Sequence, residues 1–403
     1  MSEQPRDAWT STPVIWLRSI LPWLVGGVLA FALYRYGMWS ESNQGSRLAM
    51  PIFHFKILSL IGINAIMAVS LNVVNGYTGQ FSLGHVGFMA IGGYVSGALT
   101  YYGSMILWQS TAIHGELFGG GDFLFLGALL CGGLVAALAG YVVGLPSLRL
   151  RGDYLAIVTL GFGEIVRLIL TLTRPIKKTA EEVSQAGLLS ITHNANGSWA
   201  LDGWMISFGG ALGFDGIPKY TNLFWIYLLC FATIIFCYRL KQSVLGKAFV
   251  SIREDEVAAE AMGVPTTRYK VLAFVIAAFF GGVGGGLFAH EVGILISPPE
   301  MNFLKSVDYV IMVVLGGMGS ISGAVLAAIA LTILPELLRD LSWIPFLPKA
   351  LHDVSDYRLI IYALILICVM IMRPQGLMGI KEIWEVRPAL WLRAKLARKE
   401  KSP

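Results

Sequence analysis

The stretch ILSLIGINAIMAVSLNVVNGYTGQFSLGH, residues 57–85, decides the fold class. Its first part, 57–75, carries no charge and is close to the roughly 20 residues that a transmembrane helix needs. Its second part, GYTGQFSLGH (76–85), is rich in glycine and polar residues, and the apolar sequence then resumes over 84–102. The stretch therefore predicts two membrane helices separated by a break rather than by a long polar loop.

Similar apolar runs recur along the whole chain. The 403 residues are 56% hydrophobic and only 14% charged, whereas an average soluble domain carries about 25% charged residues. The runs are continuous rather than alternating, which favours helices over barrel strands. We expect an all-α polytopic membrane protein with about 8–10 transmembrane helices in contact with membrane lipid. The runs are 19–36, 57–75, 84–102, 123–145, 154–173, 222–238, 271–290, 307–337 and 357–373.

Charge and cysteine usage exclude several classes of function. The net charge of +5 reflects the basic loops that orient a membrane protein, so no nucleic-acid partner is expected. The four cysteines, Cys131, Cys230, Cys237 and Cys368, lie inside apolar runs at spacings unlike those of metal or disulfide motifs. Paired carboxylates and nucleophile–base sets are also missing at the spacing that catalysis needs, which argues against an enzyme and against a metal site.

Basic residues orient the chain and divide it into regions. Six Lys and Arg stand between Arg239 and Lys270, and eight stand from Arg373 onward. The positive-inside rule places both segments in the cytoplasm, and counting the spans places the N-terminus there and the polar insert 174–221 outside. The regions are an N-terminal segment with the first span (1–56), a transmembrane domain with a cytoplasmic loop at 239–270 (57–373), and a basic cytoplasmic tail (374–403).

A second glycine-rich break interrupts the run 307–337. As one helix that run would extend about 46 Å, too long for a single crossing, and its centre reads GGMGSISG (316–323). We expect two shorter helices here. Gly79 and Gly319 hold similar places in the two breaks, each with a serine two or three positions on. Breaks at corresponding places in two halves are typical of a transport pathway and suggest an internal repeat, whose orientation stays open.

Polar residues at the breaks and one charged pair form the candidate pathway. Unwound backbone at membrane depth is tolerated only where it lines a cavity or is buried in protein. Glu164 and Arg167 lie one turn apart in a span and face either a pathway or each other. His85 is either a hydrogen-bonded structural residue or part of the pathway. The candidates are Asn72, Asn75, Gly79, Gln80, Ser82, His85, Glu164, Gly316, Gly317 and Gly319.

The cytoplasmic loop contains a helix with its own start and stop signals. In GKAFVSIREDEVAAEAMGVPTT (246–267), Ser251 and Glu254 fit a capping box, and Gly263 fits a helix end. The predicted helix over 252–262 is too short to be stable without a surface to pack on. It therefore lies on its own protein or docks to a partner. The candidate docking residues are Ser251, Arg253, Glu254, Asp255, Glu256, Glu260, Met262 and Gly263.

No nucleotide-binding motif accompanies this helix. The phosphate-binding pattern GxxxxGK[ST] does not occur in the sequence. The glycine run GGVGGG (281–286) lies within an apolar span, which predicts close helix packing. If transport is driven by ATP, the ATPase is therefore a separate subunit.

Five stretches resemble the permeases of branched-chain amino acid ABC importers, the LivM type. They occur in the family's order between about residue 65 and residue 379. The stretches are SLNVVNGYTGQFSLGHVGFMAIGGY (70–94), LPSLRLRGDYLAIVTLGFGEIVRLIL (145–170), GKAFVSIREDEVAAEAMGV (246–264), VLGGMGSISGAVLAA (314–328) and RPQGLMG (373–379).

The resemblance implies partners and roles that spacing alone does not show. In such importers two homologous permease subunits pair, two ABC ATPase subunits bind ATP and Mg²⁺ beneath them, and a periplasmic binding protein delivers the substrate. The loop matching IREDEVAAEAMG (252–263) is the element that couples to the ATPase. The chain itself would hold no cofactor. It is expected in the bacterial inner membrane with both termini cytoplasmic, where it translocates leucine, isoleucine and valine.

One departure from the family pattern leaves the substrate open. The family has a short TGGxxG loop soon after the GFGEIVRL helix, whereas here FGGALGFDGIPKY (208–220) follows only after roughly 30 extra residues. Urea or short amides, carried by related permeases, are the alternative cargo. A secondary transporter with a coupling proton on Glu164 or His85 is a second class, but it gives no reason for the capped cytoplasmic helix.

Overall fold

Thirteen α-helices form the bulk of the described chain. The computed structural model describes residues 12–42, 51–115, 117–147, 153–187, 190–193, 199–292, 295–337, 358–373, 375–379 and 382. Most of the predicted basic tail therefore lies outside the described residues. The helices are α1 (Thr12–Ser42), α2 (Ile52–Asn72), α3 (His85–Trp108), α4 (Gly120–Ser147), α5 (Asp153–Thr171), α6 (Ala180–Ala186), α7 (Leu223–Gln242), α8 (Val244–Glu254), α9 (Glu256–Ala261), α10 (Thr266–Val292), α11 (Phe303–Gly316), α12 (Ile321–Leu337) and α13 (Arg358–Met372).

The helices confirm the predicted spans. Five described segments are long and apolar enough to cross a bilayer, namely Phe53–Tyr77, Gly120–Leu145, Tyr154–Thr171, Leu223–Gln242 and Thr266–Glu291. The other predicted spans also fall on helices: 19–36 on α1, 84–102 on α3, 307–337 on α11 with α12, and 357–373 on α13. The chain is an all-α, multi-pass membrane protein.

Both predicted breaks are present. Helix α2 passes into a wide π-helical turn, Val73–Tyr77, and residues 78–84 then run without helix to the start of α3. The second break separates α11, which ends at Gly316, from α12, which begins at Ile321. Gly317 and Gly319 between them have φ values of 109° and 92°, a region that favours glycine because a side chain would be strained there.

Helices α3, α4 and α10 pack closely against one another. The glycine run predicted to serve helix packing lies on α10. A Cβ added to Gly282 would lie only 2.5 Å from the Cβ of Ala136 on α4, and one added to Gly285 would overlap the backbone of Met89 on α3. Larger residues would force these helices apart, so small side chains here set the helix spacing, as in other membrane bundles.

The 174–221 insert covers one end of this bundle. It contains α6, a short hairpin of β1 (Ser190–His193) and β2 (Trp199–Asp202), and β3 (Phe214–Asp215), which pairs with β4 (Leu295–Ile296). The Tyr102 hydroxyl at the end of α3 donates to Ser207 O at 2.7 Å, and Phe214 and Tyr220 are buried. The insert therefore packs on the helices.

Candidate functional site

The two helix breaks, about 240 residues apart in sequence, meet in the structure. The Asn72 amide donates to Ser320 O at 3.0 Å, and its oxygen accepts from the Gly319 backbone N–H at 2.9 Å. A Cβ on Gly76 would lie 2.9 Å from Asn72 Cγ and would overlap both Asn72 Oδ1 and Gly319 N. We call this set of four residues, Asn72, Gly76, Gly319 and Ser320, the break junction. Its backbones approach so closely because Gly76 has no side chain.

The predicted capping box is wrong. Helix α8 begins earlier, at Val244, where the Ser243 side chain accepts from Gly246 N–H at 3.2 Å. Ser251 lies inside this helix and its hydroxyl donates back to Ala248 O at 2.8 Å. Burial of Phe249 on the same helix stabilises the longer helix, and this tertiary packing overrides the local start signal.

A second short helix, α9, follows directly, and its end was predicted correctly. Asp255 is its N-cap and accepts from Val257 N–H at 2.9 Å and Ala258 N–H at 3.0 Å. Gly263, with φ of 84°, donates to Glu260 O at 2.9 Å and closes the helix in the manner typical of a glycine-terminated helix. We call residues 244–263 the α8–α9 elbow.

Arg253, at the end of α8, connects the elbow to both breaks. Its Nη1 donates to Gly76 O at 3.0 Å. A Cβ on Gly79 would lie 2.8 Å from Arg253 Cγ, and one on Gly319 would lie 2.9 Å from Arg253 Nη1. Its remaining nitrogens bind Glu254 Oε1, with Nη2 at 2.6 Å. Arg253 thus joins α8 to both helix breaks by direct contact.

Two charged residues that were not among the predicted site residues, Lys241 and Glu382, also bind the second break. Lys241, near the end of α7, donates to Gly319 O at 2.7 Å and to Glu382 Oε1 at 2.6 Å. The Glu382 carboxylate, only 1% exposed, accepts from the backbone N–H groups of Ile321 and Ser322, each at 3.0 Å. A carboxylate is favoured at this N-terminus of α12 by the helix dipole.

These hydrogen bonds determine the protonation of Glu382. Burial raises the pKa of this carboxyl, but hydrogen bonds from Lys241, Ser322 and Ile321 outweigh burial and hold the pKa below its ordinary value. The carboxylate form is thus the one that the second break binds. Lys241, Arg253 and Glu382 therefore lie at the same end of the bundle, beside the two breaks.

The rest of the elbow leaves an apolar face uncovered. Val257 and Met262 are 66% and 85% exposed, and Ala258 and Ala261 beside them are also exposed. Glu256 instead turns toward the chain and pairs with Lys270 at 2.5 Å. Helix α9 is therefore anchored to the chain on one side and exposed on the other.

A cleft of about 920 Å³ opens beside the break junction. This volume lies in the range of small-molecule sites. The turn at 375–379 forms part of its wall, because Leu377 N–H and Met378 N–H donate to Leu315 O and Gly316 O at 2.7 and 3.2 Å. The lining residues are Asn75, Gly79, Phe81, Arg253, Glu254, Val314, Met318, Gln375, Met378 and Gly379.

Most of the predicted pathway residues lie at the two breaks, in or beside the lining of this cleft. Asn75 and Gly79 line the cleft, and Ser82 N–H donates to Asn75 Oδ1 at 3.2 Å. Gln80 is buried beside them, with Thr78 as its neighbour at 3.4 Å. In the second break, Gly316 and Gly317 lie against the 375–379 turn, because Met378 N–H donates to Gly316 O and a Cβ on Gly317 would overlap Gly379.

His85 and Glu164 lie apart from the cleft lining. His85 is buried and its Nε2 lies 2.9 Å from the Ser70 hydroxyl, while Gly281 leaves the space that its ring occupies. Glu164 forms the intrahelical pair that was one of the two alternatives, with its Oε2 2.7 Å from Arg167 Nε. Among the described residues no group of His, Cys, Asp and Glu could hold a metal ion.

Together these features define a multi-pass membrane protein of transporter type, with two broken helices joined to an elbow at one side of the bundle. A family model described as "Branched-chain amino acid transport system / permease component" matches residues 53–370. The chain belongs to this family of permease components, and it is a transport subunit rather than an enzyme.

Relatives of two kinds match the chain. The high-affinity branched-chain amino acid transport system permease protein LivM of Salmonella typhimurium is 35% identical over 353 residues, which cover 86% of this chain and 73% of that protein. LivM of Escherichia coli is 35% identical over 349 residues, with the same coverage. Permease protein LivH of Escherichia coli is 24% identical over 338 residues, 82% of this chain and 96% of that protein. No solved structure matches the chain.

Proposed function

We propose that the chain is a permease subunit of an ATP-binding-cassette importer that carries leucine, isoleucine and valine across a bacterial inner membrane. It would pair with a second permease of the same family, and two ATPase subunits would supply the energy. A periplasmic binding protein would deliver the amino acids on the side of the 174–221 insert. The names of the LivM and LivH relatives support the cargo and the pairing.

The observation that carries the mechanism is the contact of Arg253 with both breaks. The uncovered face of α9, with Val257 and Met262, offers an apolar surface to a partner in the cytoplasm. A push on this face would move α8 and thus Arg253, which binds Gly76 O and touches Gly319. The break junction would then rearrange next to the cleft. In this account ATP and Mg²⁺ are bound by the ATPase subunits, and this chain transmits the movement.

Contacts within the chain support a narrower choice of elbow residues for the proposed ATPase contact. Arg253 faces the breaks and Glu256 is paired with Lys270, so neither is free to serve mainly as a docking group. Val257 and Met262 are better placed, together with the exposed Glu260. Gly263 contributes through its backbone, because its positive φ ends α9.

Uptake of labelled leucine tests this function against its alternatives. Cells that express the chain with its presumed partners would be depleted of ATP or, separately, treated to collapse the proton gradient with ATP retained. We expect uptake to stop only on ATP depletion. Loss only on gradient collapse would favour a proton-coupled transporter, with Glu164 and His85 as the residues to examine. Uptake of urea or short amides in place of leucine would keep the importer and replace its cargo.

A further inference from the structure

A second cleft, of about 420 Å³, opens at the end of the bundle that lies away from the elbow. Helix α1 forms one wall, and residues 113–122 and 219–222 contribute the others. Helix α7 begins beside this cleft and ends near Lys241, which binds the second break. The 20 residues of α7 place the two sites about 30 Å apart. We call this separate site the α1 cleft.

The α1 cleft carries an excess of positive charge. Arg35, near the end of α1, and Lys219, before α7, both line it and are exposed. Asp122 is the one carboxylate among the lining residues that the structure describes. Glu291 beside the cleft interacts with Lys219 but also with Lys56, so that counting this pair adds one charge of each sign. Either count leaves one positive charge without a counterpart among the described residues.

Aromatic side chains indicate the depth of the α1 cleft in the membrane. Tyr36 and Trp39 follow Arg35 on α1, are exposed and stack with their ring centroids 6.0 Å apart. Exposed Tyr and Trp concentrate at the boundary between lipid and water. Arg35 therefore lies at the level of the lipid headgroups.

An apolar surface leads from Arg35 along α1 into the bilayer. Leu24, Val28 and Phe31 are 60%, 69% and 49% exposed. Their spacing of four and three residues, with Arg35 four residues further on, places all four side chains on one face of the helix. The face thus offers a cation at headgroup level and a hydrocarbon surface below it.

We propose that the α1 cleft binds an anionic glycerophospholipid, with its phosphodiester held by Arg35 and Lys219 and one acyl chain along the apolar face of α1. A guanidinium can hold a phosphate through two parallel N–H groups, and a lysine adds a point charge. The single negative charge of such a lipid balances the excess charge of the cleft. Asp122 stays part of the wall, because its Oδ2 accepts from Phe118 N–H at 2.9 Å.

The bound lipid would join α1 to the rest of the bundle on a side where protein contacts leave a gap. On its other side α1 packs on α7, where a Cβ added to Gly26 would lie 3.1 Å from Phe231 Cβ. The family model begins at residue 53, so α1 lies outside the matched region. The site is independent of the proposed cargo and of the elbow.

Native mass spectrometry of the full-length chain in detergent, with any subunits that co-purify, tests the site. The protein would be titrated with phosphatidylglycerol and, separately, with the zwitterionic phosphatidylcholine. We expect the first phosphatidylglycerol to bind about tenfold more tightly than phosphatidylcholine, and the double variant Arg35→Gln, Lys219→Gln to lose this preference. The matched control is Lys178→Gln, an exposed cation of the 174–221 insert outside the cleft lining, which should keep it.

Two further measurements separate charge recognition from misfolding and lipid from soluble phosphate. Arg35→Lys keeps the charge and should bind phosphatidylglycerol within about threefold of wild type. A preference that survives in the double variant, or that Arg35→Lys loses completely, would overturn the proposal. Displacement of the lipid by glycerol phosphate, which has no acyl chains, would assign the cleft to a soluble phosphate and would also overturn it.

Discussion

Replacing Gly76 by alanine should open the break junction. The new Cβ would overlap Asn72 Oδ1 and Gly319 N, so the two hydrogen bonds that Asn72 makes to the second break would be lost. Neutral hydrogen bonds contribute about 1 kcal/mol each, and overpacking costs about 1–3 kcal/mol more. Alanine also restricts the unfolded chain, which offsets this cost by about 1 kcal/mol. We therefore expect a net cost of about 2–4 kcal/mol against the closed junction.

That cost corresponds to roughly a 30- to 1000-fold shift between the closed and the opened junction. The apparent Tm of the detergent-purified transporter should fall by about 2–4 °C, given the unfolding entropy expected for a chain of this length. Leucine uptake by cells expressing the variant should fall strongly, although the protein still inserts in the membrane. Differential scanning fluorimetry and initial uptake rates measure the two effects.

The matched control is Gly161→Ala on α5. No atom lies within 4 Å of a Cβ at this position, so the same substitution inside a membrane helix should leave both uptake and Tm close to wild type. If Gly76→Ala behaves like Gly161→Ala, the direct contact between the two breaks is not needed for stability or transport, and the account of the junction is refuted.

Four further substitutions test the site. Glu382→Gln should destabilise the protein by about 1.5–3 kcal/mol, against less than about 1 kcal/mol for the exposed Glu254→Gln. Because the pKa of Glu382 is lowered in the folded protein, its contribution should be complete at neutral pH, begin to fall near the ordinary glutamate pKa of about 4.3 and be lost only as pH drops through the lower folded pKa. The Tm difference between wild type and Glu382→Gln should therefore shrink progressively in acid. Arg253→Lys should lower leucine uptake while ATP hydrolysis by the purified complex continues, and an unchanged ratio of ATP to leucine would contradict its linking role. Val257→Glu, at an exposed position, should change Tm little but abolish co-purification of the ATPase. His85→Asn should lower Tm through its buried contact with Ser70 and leave the pH profile of uptake unchanged; a shifted profile would favour proton coupling.

The helices could be predicted from the local sequence, because the hydropathy of each run depends only on the residues within it. A run of apolar residues must form a helix in the bilayer to satisfy its own backbone, so the spans and the breaks after Gly76 and Gly316 follow from composition alone. The end of α9 also follows from a local signal, the glycine at position 263. The predicted helix start at Ser251 was wrong, because α8 begins at Val244 and continues past Ser251. Burial of Phe249 stabilises this longer helix.

The meeting of distant residues depended on the tertiary structure. Asn72 contacts Gly319, Arg253 reaches Gly76, and Lys241 binds Glu382 across separations of 141 to 247 residues. No period or spacing encodes such contacts, because they depend on how whole helices pack against one another. Composition and periodicity thus determined that the chain is a bundle of broken membrane helices, whereas packing determined that both breaks and the elbow form one connected site.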